Sequence, residues 1–227
     1  FRATVVSNKC VFGHPVIADL SRTKLFVAWG SNPFINMYPL GGGLVRFKEN
    51  GGRVIVIDPR NTQSAQKLAD LYLRPRLGTD GALALSLLHV LISEGLYDRA
   101  FVEQWTVGFP ELARRCAQYP PERAEEITWV KAEDIRRAAR LLASWKPMSL
   151  EWGCAVEQTP NSFQTCRAIY MIPALLGSWD VPGGFVASKE IAPTVDPLFD
   201  RLSPELARKC LSGGYPLNDG TASPKMF

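Results

Sequence analysis

The 227-residue sequence has no unbroken apolar run of the roughly 18 to 20 residues that a spanning helix needs, so direct membrane insertion is not expected. It has only two histidines, His14 and His89, and both are isolated. His89 falls on an apolar helical stretch and reads as structural. Five cysteines (Cys10, Cys116, Cys154, Cys166, Cys210) are widely spaced with no C-x-x-C pair, which excludes a disulfide framework and a local zinc or iron-sulfur clip. Most read as buried thiols. Also missing are G-x-G-x-x-G, which disfavours a plain NAD site, a Walker A loop, G-x-S-x-G and H-E-x-x-H. Charge of one sign is scarce too: 26 Lys and Arg against 22 Asp and Glu give a net charge of +4 with no run, too weak a balance to predict a nucleic-acid partner. Near-average glycine and proline exclude collagen-like and disordered classes. What remains, with 46% hydrophobic residues, is a globular chain of one or two domains with a real core. It opens at Phe1 without Met or a leader-like segment and ends in a loose Pro/Gly/Ser tract, so it reads as a piece of a larger protein.

The run Lys24-Leu-Phe-Val-Ala-Trp29 predicts a buried parallel strand, and it stops at Gly30-Ser31-Asn32-Pro33. A short helix over about 43–50 leads through Gly51-Gly52 to a second strand, Arg53–Ile57, which ends at Asp58-Pro59-Arg60. Asn61 or Thr62 can cap a helix from Gln63 to Ala69, a brief strand follows at Leu71–Arg74, and Gly78-Thr79-Asp80 opens a long apolar helix to Ile92. The stretch from Tyr97 to Trp145 is helical, ending with a helix from Lys131 to Ser144 striped by Ile135, Ala138, Ala139 and Leu142. This alternation predicts an α/β fold with a Rossmann-like doubly wound parallel sheet. Met148–Trp152 reads as a further strand, and a helix from about Asn161 to Leu176 follows it. The expected organisation is a lead-in over 1–22, a Rossmann-like domain over 23–146, and part of a second α/β unit with an irregular tail over 147–227.

In such a fold ligands bind outside the carboxyl ends of the strands, where loops and helix N-termini offer free N–H groups. Gly30, Ser31 and Asn32 supply close backbone approach and hydrogen bonds, or form an ordinary strand-end turn. Asp58 stands where nucleotide-binding folds place the group that grips ribose hydroxyls, with Pro59 holding the turn and Arg60 in reach of a phosphate. Its other reading is a helix-capping carboxylate beside a solvated arginine. In Gly78-Thr79-Asp80 the carboxylate suits the two-donor edge of a guanine, an edge adenine does not present, or the turn caps the helix through Thr79 or Asp80.

Together, Trp29-Gly30-Ser31-Asn32-Pro33, Val56-Ile57-Asp58-Pro59-Arg60, Gly78-Thr79-Asp80-Gly81-Ala82-Leu83 and Gly95-Leu96-Tyr97-Asp98 resemble the molybdopterin oxidoreductase family, also called the dimethyl sulfoxide reductase family. Trp152-Gly153 with Gln158, Arg167-Ala168-Ile169 and Pro182-Gly183-Gly184 resemble its next segment. The match runs in order from about residue 20 to 185. It implies the fold of domains 1–3 of formate dehydrogenase and dimethyl sulfoxide reductase, and a bis-molybdopterin guanine dinucleotide holding molybdenum or tungsten. By the resemblance Gly30, Ser31, Asn32, Asp58, Pro59, Arg60, Gly78 and Asp80 contact one guanine dinucleotide, while Gly153, Cys154 and Gln158 face the pterin or metal region. A [4Fe-4S] cluster is expected in an amino-terminal domain outside this sequence, and an iron-sulfur electron-transfer subunit as the parent's partner.

Leu77 departs from the family's pattern, which usually has proline there. Cys10 lies nearer the first strand than the family's metal ligand falls, so no residue here is assigned to the metal, and Cys154 is expected to pack near the cofactor. The resemblance implies two-electron chemistry on a small molecule, formate dehydrogenase-like or polysulfide/thiosulfate reductase-like, by the full-length parent, with the fragment alone inactive. Compartment stays open, bacterial or archaeal cytoplasm or periplasm. Two other readings remain: a non-catalytic electron-transport scaffold like the large iron-sulfur subunit of NADH dehydrogenase, and a generic nucleotide module like the middle domain of thiamine-dependent enzymes.

Overall fold

The structure, a computed structural model, describes residues 2–14, 16–187 and 203–205. The chain divides into two units, Phe1–Ser188 and Lys189–Phe227, and every named element lies in the first. A helix α1 (Arg2–Phe12) leads to a short strand β1 (Val16–Ala18), then β2 (Leu25–Trp29). Helices α2 (Pro33–Asn36) and α3 (Tyr38–Glu49) connect it to β3 (Arg53–Ile57), and α4 (Gln63–Leu68) connects β3 to β4 (Leu71–Leu73). Five helices follow: α5 (Asp80–Ser93), α6 (Arg99–Trp105), α7 (Phe109–Cys116), α8 (Pro121–Thr128) and α9 (Ala132–Ser144). Then come β5 (Met148–Trp152), α10 (Cys154–Glu157), α11 (Ser162–Leu175) and β6 (Phe185–Ala187).

Four strands form one parallel sheet in the order β4-β3-β2-β5, and β1 pairs with β6 in a separate antiparallel ribbon. The apolar runs are strands because both faces of the sheet are covered, so alternate residues need no polar side. Leu25, Val27, Trp29, Ile55 and Ile57 pack with residues of α5, α9 and α11. Phe26, Ala28, Val54 and Val56 pack on the other face with Leu44 of α3 and Ala65 and Leu68 of α4. The connections from β2 to β4 cover one face and the long helical connection from β4 to β5 covers the other. The winding therefore reverses between β2 and β5, which is where open α/β sheets keep their ligand crevice.

The lead-in expected over 1–22 carries α1 and β1. Helix α1 lacks a sequence-readable apolar stripe and is held by α11 and the segment after it: Asn8 Nδ2 donates to the Tyr170 hydroxyl of α11 at 3.0 Å, and Phe12 stacks on Trp179 at 4.7 Å. Helix α3 starts at Tyr38, earlier than expected, because its glycines let it lie against α2; a Cβ on Gly41 would stand 3.1 Å from the Phe34 backbone. The expected break at 147 is corrected: β5 joins the same sheet, with Leu25 opposite Met148 and Trp29 opposite Trp152. Parallel pairing with a strand more than a hundred residues away is set by sheet assembly and leaves no local signal. The irregular tail lies outside the described residues from Ser188 onward, apart from 203–205.

Candidate functional site

Because the four strands are parallel, Trp29, Ile57, Leu73 and Trp152 end on one edge, and the loops that follow them meet there. The ladder continues one residue beyond β2 and β5: Gly30 N–H donates to Ile57 O at 2.6 Å and Gly153 N–H to Trp29 O at 2.9 Å. Gly30 has φ +57°, a left-handed conformation that favours glycine. Gly153 is required for a different reason: a Cβ there would collide with the Gly30 carbonyl oxygen. Gly153→Ala should cost about 1–3 kcal/mol of stability, read as a lower urea midpoint at unchanged slope. An unchanged midpoint would show that the two loops can part freely.

Ser31 is buried, and Asn32 is anchored by Ser64 of α4, whose hydroxyl donates to Asn32 Oδ1 at 2.7 Å. That bond leaves the Asn32 NH2 group without a partner among the described residues. Asp58 is 2% exposed, and its Oδ1 accepts the Arg60 backbone N–H at 2.8 Å. Burial raises its pKa, the Arg60 N–H bond and the Arg60 charge oppose that rise, and the Asp80 charge adds to it. The Arg60 guanidinium is 3.9 Å away and largely solvent-exposed, too loose a pair to neutralise the carboxylate. Arg74 holds the turn by donating from Nε to Pro59 O at 2.9 Å.

Gly78 has φ +76° with open space beside it. Neither Thr79 nor Asp80 caps α5. The Thr79 hydroxyl donates to Arg76 O at 2.7 Å, and Asp80 Oδ1 accepts the Trp29 indole N–H at 2.8 Å. The backbone N–H groups of Asp80 and Gly81 therefore have no acceptor among the described residues. Leu77, at the position where proline was expected, is 79% exposed. Gly153 opens the four-residue α10, whose Cys154 and the following Gln158 are both exposed.

All the residues singled out from sequence thus share the carboxyl edge, on the loops after β2, β3 and β5 and at the start of α5. A cavity of about 940 Å³ flanks the edge at Gly78, Thr79 and Gly81, with Cys10 on its wall, while a second of about 760 Å³ lies at the opposite edge by Lys24, Arg46 and Trp145. Among the described residues no three of His, Cys, Asp and Glu group as a metal site, and no helix is long and apolar enough to cross a membrane. His89 bonds through Nδ1 to the Cys116 carbonyl at 3.2 Å, a packing role. Sequence reasoning missed Ser64 and the indole of Trp29 as partners of Asn32 and Asp80. Each bond joins residues at least 32 apart, with no motif to announce it.

An α/β protein with a parallel sheet, whose polar strand-end loops converge on one edge, is the class that the fold and the site define. The chain belongs to the molybdopterin oxidoreductase family, which matches residues 4–203. It is 42% identical over 131 residues to acetylene hydratase of Syntrophotalea acetylenica, covering 58% of this chain and 18% of that protein. It is 35% identical over 166 residues to formate dehydrogenase H of Escherichia coli K12, covering 73% and 23%. The solved structure of acetylene hydratase from Pelobacter acetylenicus superposes with a TM-score of 0.79 at 31% identity, over 94% of this chain and 30% of that one. The chain thus spans under a quarter of the length of these two curated relatives.

Proposed function

We propose that this chain is the part of a molybdenum or tungsten oxidoreductase that holds a bis-molybdopterin guanine dinucleotide, in a Rossmann-like, doubly wound setting. When bound, that group supplies the metal centre at which a small molecule exchanges two electrons. The observation that carries the reading is the pair of carboxylates at one edge: Asp58, buried with only one oxygen engaged, and Asp80, held by Trp29. Ribose hydroxyls and guanine N–H groups are donors, and the free carboxylate oxygens are acceptors without hydrogen-bond partners among the described residues. The exposed Arg60 suits the diphosphate. The residues present therefore fit the nucleotide half of the group.

Gly30, Ser31, Asn32, Pro59 and Gly78 shape the loops that would receive the dinucleotide, and Gly153, Cys154 and Gln158 the pterin side. The two named relatives are a formate dehydrogenase and an acetylene hydratase, and this difference in their names' substrates supports a segment that serves a cofactor rather than one substrate. Substrate choice, formate or polysulfide and thiosulfate, then belongs to the rest of the parent, as do a [4Fe-4S] cluster and an iron-sulfur partner subunit. Elemental and nucleotide analysis of the full-length parent tests the reading. About two GMP released per Mo or W, with iron present, is the expected result, since each metal would carry two guanine dinucleotides. Iron without Mo, W or GMP would overturn it and leave an electron-transport scaffold.

A further inference from the structure

We infer that Trp29 is a positioning residue for base selection: its buried indole N–H holds the Asp80 carboxylate in the orientation that distinguishes guanine. The inference rests on the guanine dinucleotide reading above and adds a residue that acts on the base only through another.

Trp29 is the last residue of β2 and is 1% exposed. It sits in register between Ile57 and Trp152, with its ring in the larger core cluster. A ring packed on all sides cannot turn without opening the core, so its N–H is a fixed direction in space. A buried indole N–H must also find an acceptor. It finds Asp80 Oδ1 at 2.8 Å, across 51 residues of sequence. No other described side chain bonds to Asp80, so Trp29 alone restrains that carboxylate laterally.

The consequence is chemical. A carboxylate has about four acceptor positions on two oxygens, so Oδ1 can serve the indole while Oδ1 and Oδ2 still face a ligand. Guanine presents a ring N–H and an amino group side by side, and a carboxylate accepts both only when held in the plane of the base. Adenine places an acceptor nitrogen against the same oxygens and is repelled. A freely rotating Asp80 would pay the ordering cost on binding and would tolerate other faces of the ligand, so the restraint contributes selectivity before affinity.

The test uses the full 227-residue chain titrated calorimetrically with GDP, IDP, which lacks the 2-amino group, and ADP. The wild type should prefer GDP over IDP by roughly tenfold, the worth of one hydrogen bond to a charged group. Trp29→Phe keeps a ring and removes the donor, and its preference should fall to within about twofold while unfolding stays cooperative. Asp80→Asn should lose the preference too. If the wild type does not separate GDP from IDP, the guanine reading itself fails. If it does, and Asp80→Asn loses the preference while a folded Trp29→Phe keeps it, the role of Trp29 is overturned and the reading stands. Should Trp29→Phe fail to fold, the wild-type chain decides through its ¹⁵N-labelled indole spectrum: saturating GDP should move the Trp29 Nε1–H resonance more than IDP does. A resonance unmoved by bound GDP would refute the restraint.

Discussion

Asp58→Asn is expected to raise the melting temperature at pH 7 and, at the same time, to weaken GDP binding roughly a hundredfold. Both effects come from the same feature, a carboxylate 2% exposed at the end of β3. Burial raises its folded-state pKa above the ordinary 3.8. The folded chain therefore binds this proton more tightly than the unfolded chain does, and stability falls as pH rises from 3.8 through the raised folded value. At pH 7 the wild type carries the whole of that loss. Asparagine avoids it, and its amide oxygen can still accept the Arg60 N–H that Asp58 Oδ1 accepts at 2.8 Å. Little is forfeited with the charge, because the Arg60 guanidinium stands 3.9 Å away in solvent. Below about pH 3.8 both side chains are neutral and the melting temperatures should converge. The ligand sees the opposite change, since the amide group left facing it donates where ribose hydroxyls need acceptors. Calorimetric melts at about pH 3 and pH 7 with GDP titrations check both halves. Equal melting temperatures at pH 7 would refute the burial account, and unchanged GDP affinity would remove Asp58 from the site.

Phe26→Ala should cost about 3–5 kcal/mol, a large part of the about 5–15 kcal/mol that holds a domain together. Phe26 is fully buried in the central strand β2 and fills the face shared with Leu44, Val54, Val56, Ala65 and Leu68. That face cannot collapse around the loss, because a hydrogen-bonded strand on each side fixes the spacing of β2. Phe34, packed on the same cluster, and Ser64, in the same helix as Ala65, border the Asn32 loop, so the damage reaches the candidate site. Phe26→Leu, which keeps most of the volume, should cost less than about 1.5 kcal/mol. Urea unfolding followed by circular dichroism measures both. A loss below about 1 kcal/mol for Phe26→Ala would mean that this face repacks.

The parts that were legible and those that were not divide along a physical line. β2 and β3 were legible as strands because each is a short apolar run, and β5 because Met148, Leu150 and Trp152 alternate with Ser149 and Glu151; each is closed by Gly or Asp, all properties of consecutive residues. Thr62 was one of two candidate caps for α4, and the structure selects it, with its hydroxyl accepting from Ala65 N–H at 3.2 Å. α1 escaped notice because its helix is fixed by Asn8 and Phe12 against α11 and Trp179, contacts with no local pattern. The break expected at 147 failed for the same reason, since the neighbour of β5 in the sheet is chosen by assembly.

For the site, the sequence by itself determined the chemistry: a Gly-Ser-Asn turn, an Asp-Pro-Arg turn and a Gly-Thr-Asp turn, each at a strand end or helix start. Motif order within a recognisable family made those turns legible together. Only the tertiary structure decided which of their polar atoms are spent and which are free. Asn32 Oδ1 is taken by Ser64 and Asp80 Oδ1 by Trp29, while Asp58 is desolvated with one oxygen engaged. Hydrogen bonds between residues distant in sequence, and the desolvation of a carboxylate, depend on how the sheet and its helices pack, so no local run of residues encodes them.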